Sequence, residues 1–168
     1  MKEEQEEMRS SLRQTKTAEY IHDFTALGNP FLLLLVALMA LSNHPQFASF
    51  FPPLLIGFFV NEVVCSGIKY FWHKPRPNGQ QYVGGFEKID AGSFPSIHAS
   101  RISFVYLSLG MMHYWIGNTW VLIMSFLVIA TVGYSRIFLK KHFLTDVLAG
   151  YCFGILWAVI LYFWFFKS

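Results

Sequence analysis

Five stretches of this chain are long and apolar enough to lie across a bilayer, and that leaves few folds open. They cover about residues 25–43, 54–72, 96–115, 120–138 and 147–166. A transmembrane helix needs roughly 17–25 mostly apolar residues. Composition agrees. Hydrophobic residues make up 54% of the chain, aromatic residues 18% and charged residues 14%, against about 25% charged in a soluble domain. The alternative is a soluble all-α protein with very apolar helices, and the hydropathy pattern argues against it. The expected fold is an all-α integral membrane protein, with about five transmembrane helices in a bundle. A polar N-terminal segment, residues 1–23, precedes a membrane-embedded domain over residues 24–168.

The polar residues are placed unevenly. The start, "MKEEQEEMRSSLRQTKTAEY", is acidic and reads as a solvated face. It lacks the basic start and apolar run of a cleavable signal. Cys65 and Cys152 both fall in apolar stretches with no second cysteine at ligand spacing, so they read as core residues rather than a disulfide framework or zinc site. Asn61, Glu62 and Lys69 interrupt the second stretch and should face protein or water, being costly in lipid. With five spans, the loop of residues 73–95 and the link of residues 136–146 fall on one face. Lys69, Lys74, Arg76, Lys88, Arg101, Arg136, Lys140 and Lys141 gather there. Either these charges set topology, as positive residues do in cytoplasmic loops, or they form an anion site at the membrane surface.

Spacing separates the two readings. "KYFWHKPRP" places Lys69 seven residues before Arg76-Pro77; "PSIH" covers Pro95 to His98; "SRIFLKKHFLTD" holds Ser135, Arg136, His142 and Asp146. Each lies at a helix end, on the same face. The set suits a phosphate. Lys69, Arg76 and Arg136 supply charge and forked donors for its oxygens. Ser96 stands where a helix begins, so its hydroxyl and the N–H groups of Ile97 and His98 can receive an oxyanion. His142 and Asp146 would share one helix face, the carboxylate taking one ring nitrogen and leaving the other to attack. His98 is placed to protonate a leaving oxygen. Deeper in the membrane, Glu62 lies about 10 Å below Lys69 on its helix, and Arg101 about one turn inside His98. They are expected either to pair across two helices behind the site, or to snorkel and meet other polar groups.

The three motifs together resemble the type 2 phosphatidic acid phosphatase superfamily, whose pattern is K-x6-R-P, P-S-G-H and S-R-x5-H-x3-D. "DFTALGNP", Asp23 to Pro30, looks like the segment before a spanning helix in its bacterial-type members, so the resemblance covers about residues 22–165. It implies that His142 is the nucleophile of a phosphohistidine intermediate, oriented by Asp146, with His98 as general acid. Lys69, Arg76, Ser96, Ile97 through its N–H, and Arg136 hold the phosphoryl group. No cofactor or metal is implied. The chain departs from the pattern at Ile97, which stands in place of a glycine. Its N-terminal region is also too polar for the extra helix of six-span members, which puts the N-terminus on the catalytic face.

The function implied is hydrolysis of the terminal phosphate of a membrane lipid, with polyprenyl diphosphate first and phosphatidylglycerophosphate, phosphatidate or lipid A phosphate as alternatives. A reading of another class is a catalytically degenerate member that binds a lipid phosphate without turnover. A transporter is disfavoured by the short chain without an inverted repeat. The partners expected are the lipid and the bilayer, not nucleic acid. The resemblance implies a site on the extracytoplasmic side of the cell membrane, whereas the basic residues, if they served topology alone, would put it in the cytoplasm.

Overall fold

The computed structural model describes residues 29–42, 49–79, 85–115 and 117–167. These fold into α1 (Pro30–Ser42), α2 (Phe51–Phe71), α3 (Gly85–Ala91), α4 (Ile97–Trp115), α5 (Thr119–Phe138) and α6 (Leu144–Lys167), with no strand among the described residues. The polar segment 1–23 and most of the Asp23–Pro30 stretch lie outside the described residues. Two boundaries differ from the sequence expectation. α2 starts at Phe51 rather than at residue 54, with Pro52 and Pro53 in its first turn, where a missing N–H costs nothing. The polar loop of residues 73–95 contains the seven-residue helix α3, with Glu87 in its first turn to complement the helix dipole.

Three helices, α2, α5 and α6, are long and apolar enough to cross a membrane; α1 is apolar but shorter. α4 has comparable length, 19 residues, but carries Arg101 and three serines. Its position explains the difference. It packs against α1, α2, α5 and α6, and every residue from Ala99 to Val105 is buried. A helix wrapped by its neighbours meets protein rather than lipid, so its own apolarity is not what keeps it in the membrane. The core accordingly centres on Ile102, Phe104, Val105 and Met112, with Leu33, Leu54, Phe58, Val132 and Leu161 converging from the other helices. The outer faces carry the opposite pattern. Phe31 is 82% and Phe71 87% exposed, and Ile56, Val63, Leu127 and Ile155 also face outward. Apolar exposure on this scale needs lipid around it.

Small residues bring α4 and α6 together. A side chain at Gly150 would come within 2.5 Å of the Ser96 carbonyl, and one at Gly154 would collide with Ser103 Oγ and the Ser100 carbonyl. This is the small-xxx-small mode of membrane helix contact. Two buried hydroxyls are satisfied within their own helices: Ser103 Oγ donates to Ala99 O at 2.7 Å and Ser125 Oγ to Val121 O at 2.7 Å.

Candidate active site

Four helix ends meet on one side of the bundle. α2 delivers Lys69 in its last turn. Its ammonium is buried and donates to Gly92 O at 2.6 Å, which ties the loop after α3 to the end of α2. That loop then runs into α4. Ser93 N–H donates to Lys74 O at 2.7 Å and Ser96 N–H to Asp146 O at 2.9 Å, which docks the start of α4 on α6. Ser96 is fully buried and caps α4, its Oγ accepting from Ala99 N–H at 3.4 Å. The N–H groups of Ile97 and His98 have no intrahelical acceptor at this helix start. Ile97 is not in the left-handed region; among the described non-glycine residues only Lys140 is. A residue with a Cβ therefore fits the backbone here, and glycine is not required for its φ.

The turn after α5 brings His142 back to this cluster. Lys140, at φ 52°, donates to Ile137 O at 2.9 Å, and Lys141 N–H to Arg136 O at 3.1 Å. These two bonds are the Schellman pattern, closed here on a lysine where glycine is usual. His142 N–H also reaches Arg136 O, at 3.2 Å. The helix end that carries Arg136, 3% exposed, is thus bonded directly to His142, 2% exposed.

The expected His142–Asp146 hydrogen bond does not form. His142 lies in the turn, and α6 starts only at Leu144, so the two residues do not share a helix face. Asp146 sits at the third position of α6, and its Oδ2 accepts the Phe143 N–H at 2.9 Å, closing the helix start as the acidic member of a capping box does. Oδ2 also takes the Ser93 hydroxyl, and Oδ1 takes Lys74 Nζ at 2.5 Å. The ring of His142 instead meets a backbone group: Nδ1 is 2.8 Å from Ser93 O. Ser93 and Lys74 are the residues that sequence reading missed as part of this site. Ser93 contributes a carbonyl, which any residue type supplies. Lys74 lies inside the first motif's spacer and is counted there only as one more positive charge.

Both histidines lie in the same cationic field. Lys69, Arg136 and Arg76 act on His142, and Arg136, Arg101 and Lys69 act on His98, together with His142 itself. Burial, then the charges of Lys69 and Arg136, lower the His142 pKa to about 3. Its ring is neutral across the physiological range. Such a field of fixed cations stabilises charge developing on a phosphoryl group.

Behind the site, Glu62 and Arg101 pair. Arg101 Nε donates to Glu62 Oε1 at 2.7 Å and Nη2 to Oε2 at 2.5 Å, a fork-to-fork contact. Beside them, Ser100 Oγ donates to Asn61 Oδ1 at 2.6 Å, with both residues fully buried. Asn61 and Glu62 therefore face α4, and Lys69 the loop after α3, rather than lipid.

An α-helical bundle with outward apolar faces, holding two histidines among buried cations at one end, has the makings of an integral membrane phosphatase. The family model of the PAP2 superfamily matches residues 52–168, and the chain belongs to that superfamily, the one its three motifs resemble. A crystal structure of a transmembrane PAP2-type phosphatidylglycerolphosphate phosphatase from Bacillus subtilis shares the fold. Its TM-score is 0.76 at 23% sequence identity, covering 90% of this chain and 77% of that one. Comparison with curated protein sequences returns no match.

Proposed function

We propose that the protein removes the terminal phosphate of a membrane lipid through a phosphohistidine formed on His142. The observation that carries this reading is the shared field: Lys69 and Arg136 act on both histidines. A phosphoryl group placed between the two rings would have its oxygens held by Lys69, Arg76, Arg136, Ser96 Oγ and the N–H groups of Ile97 and His98. Nε2 of His142 attacks phosphorus, the bond to the leaving oxygen breaks, and His98, holding a second proton once the phosphate's negative charge offsets the cations around it, gives that oxygen the proton. Water then attacks the phosphohistidine, His98 takes the water proton, and inorganic phosphate leaves. The cations do the charge stabilisation, so no metal is needed.

Polyprenyl diphosphate is the first substrate of this reading. A groove of about 300 Å³ lined by Pro53, Ile56, Val60, Trp157, Leu161 and Trp164 supports a long tail. It lies between the far halves of α2 and α6, and its nearest α2 residue, Val60, is nine residues from Lys69, or about 14 Å along the helix. Phosphatidylglycerophosphate is the second reading, favoured by the activity named for the solved structure of the same fold. The site is placed at the extracytoplasmic face of the cell membrane. Phosphate release in detergent with EDTA, on polyprenyl diphosphate, phosphatidylglycerophosphate and phosphatidate, tests all of this, with His142→Ala as the blank. Release that needs His142 and survives chelation is expected. No release from a folded protein would leave the reading of a lipid-phosphate binder without turnover.

A further inference from the structure

We infer that the nucleophilic ring of His142 is oriented by the backbone carbonyl of Ser93, and that Asp146 and Lys74 are positioning residues acting through Ser93 and the turn beside it. The inference rests on the proposed role of His142. A carbonyl oxygen only accepts, so the 2.8 Å contact to Ser93 O puts the proton on Nδ1. In a neutral imidazole the lone pair is then on Nε2. The carboxylate of Asp146 has no place left for the ring. Its two oxygens offer about four acceptor positions, and four donors surround them: Lys74 Nζ, Thr145 Oγ1, Ser93 Oγ and Phe143 N–H.

Ser93 is built to hold that carbonyl still. It is fully buried, and all its polar groups are engaged: N–H to Lys74 O, Oγ to Asp146, O to His142. Lys74 grips the same unit from the other side. Its ammonium bonds Asp146 and lies 4.5 Å from the ring of Phe143, the residue after His142. Asp146 also fixes Ser96 through its own carbonyl, so one residue sets the distance between nucleophile and phosphate cradle. Misplacement by about 1 Å is enough to cost on the order of a hundred-fold in rate.

The test uses the full chain in detergent, labelled with 15N-histidine, with the His142 signals assigned from a His142→Gln spectrum. Asp146→Asn is expected to keep the Nδ1–H tautomer of His142 while kcat falls about ten-fold or more with KM little changed. Ser93→Ala keeps the carbonyl but loses its tether, and should lower kcat in the same way. Lys74→Met should do likewise, with Lys74→Arg restoring most of the rate. Because one unit is being loosened, the Ser93→Ala/Asp146→Asn double variant should be no worse than the poorer single. A switch of His142 to the Nε2–H tautomer in Asp146→Asn, or losses that multiply in the double variant, would overturn the inference. The tautomer is read without turnover. A wild-type protein that hydrolyses no lipid phosphate would therefore sink the phosphatase reading separately.

Discussion

Lys140 holds a left-handed backbone at φ 52° so that the turn after α5 can close, and the cost of that conformation falls on a residue with a Cβ. Lys140→Gly should stabilise the fold by about 1 kcal/mol, seen as a higher thermal midpoint in detergent. At Ile97 the question is space, since its φ is ordinary. Ile97→Gly should raise kcat/KM several-fold by opening the cradle, and lower the midpoint by the equivalent of roughly 0.5 kcal/mol of helix propensity. His142 carries a third expectation. With its pKa lowered to about 3 by burial and by Lys69 and Arg136, an NMR titration should show a neutral ring down to about pH 4, not a midpoint near the ordinary value of about 6.5. The sign for stability follows. Between those two values the unfolded chain takes a proton that native His142 refuses, so stability should fall as pH drops from about 6.5 toward 3. The motif residues at this scale were legible because charged groups at fixed spacing near helix ends stand out in an apolar chain. Ser93 was not, because its contribution is a carbonyl, and neither were the partners of Asp146, because helix capping, not helix periodicity, sets where its side chain points.

The contact between α4 and α6 carries the site's alignment, since Ser96 N–H bonds Asp146 O across it. Gly150 and Gly154 make that approach possible. Gly154→Ala places a methyl against Ser103 Oγ and the Ser100 backbone, which cannot yield as a side-chain tip can. It should destabilise the protein by about 1–3 kcal/mol and reduce activity beyond what the loss of folded protein explains. A Ser103→Ala background removes the nearest of the three obstructing atoms and should recover part of the stability, which a thermal-shift comparison of single and double variants will read. The five helices themselves were legible from length and apolarity. The reason α4 tolerates Arg101 and its serines was not, because burial by neighbours is a property of the assembled bundle. The pairing of Arg101 with Glu62 across α2 and α4 was foreseeable only as one of two options, depth in the membrane being readable and rotation about the helix axis less so.

Topology is decided at the scale of the whole molecule. α4 joins α5 through a short turn at Gly117, in the left-handed region at φ 86°, and α5 joins α6 through the turn of residues 139–143. Consecutive helices so linked run antiparallel. α4, at 19 residues and about 28 Å, is long enough to match a hydrocarbon core of about 30 Å. It therefore crosses with its neighbours, and the ends that carry Lys69, Ser96, Arg136 and Asp146 share one face. Counted naively, the basic residues there call for the cytoplasm. The structure reassigns several of them: Lys69 to Gly92 O, Lys74 to Asp146, Arg101 to Glu62, and Arg136 to the buried cluster beside His142. Charges engaged in a site are explained by the site, so they no longer argue against the extracytoplasmic face proposed above. In a variant with Cys65 and Cys152 replaced by alanine, a cysteine at the exposed position Lys140 should react with a membrane-impermeant maleimide in intact cells. One at exposed Asn118, on the opposite face, should react only after permeabilisation. The reverse pattern would place the site in the cytoplasm, and the substrate would then have to be presented from the inner leaflet.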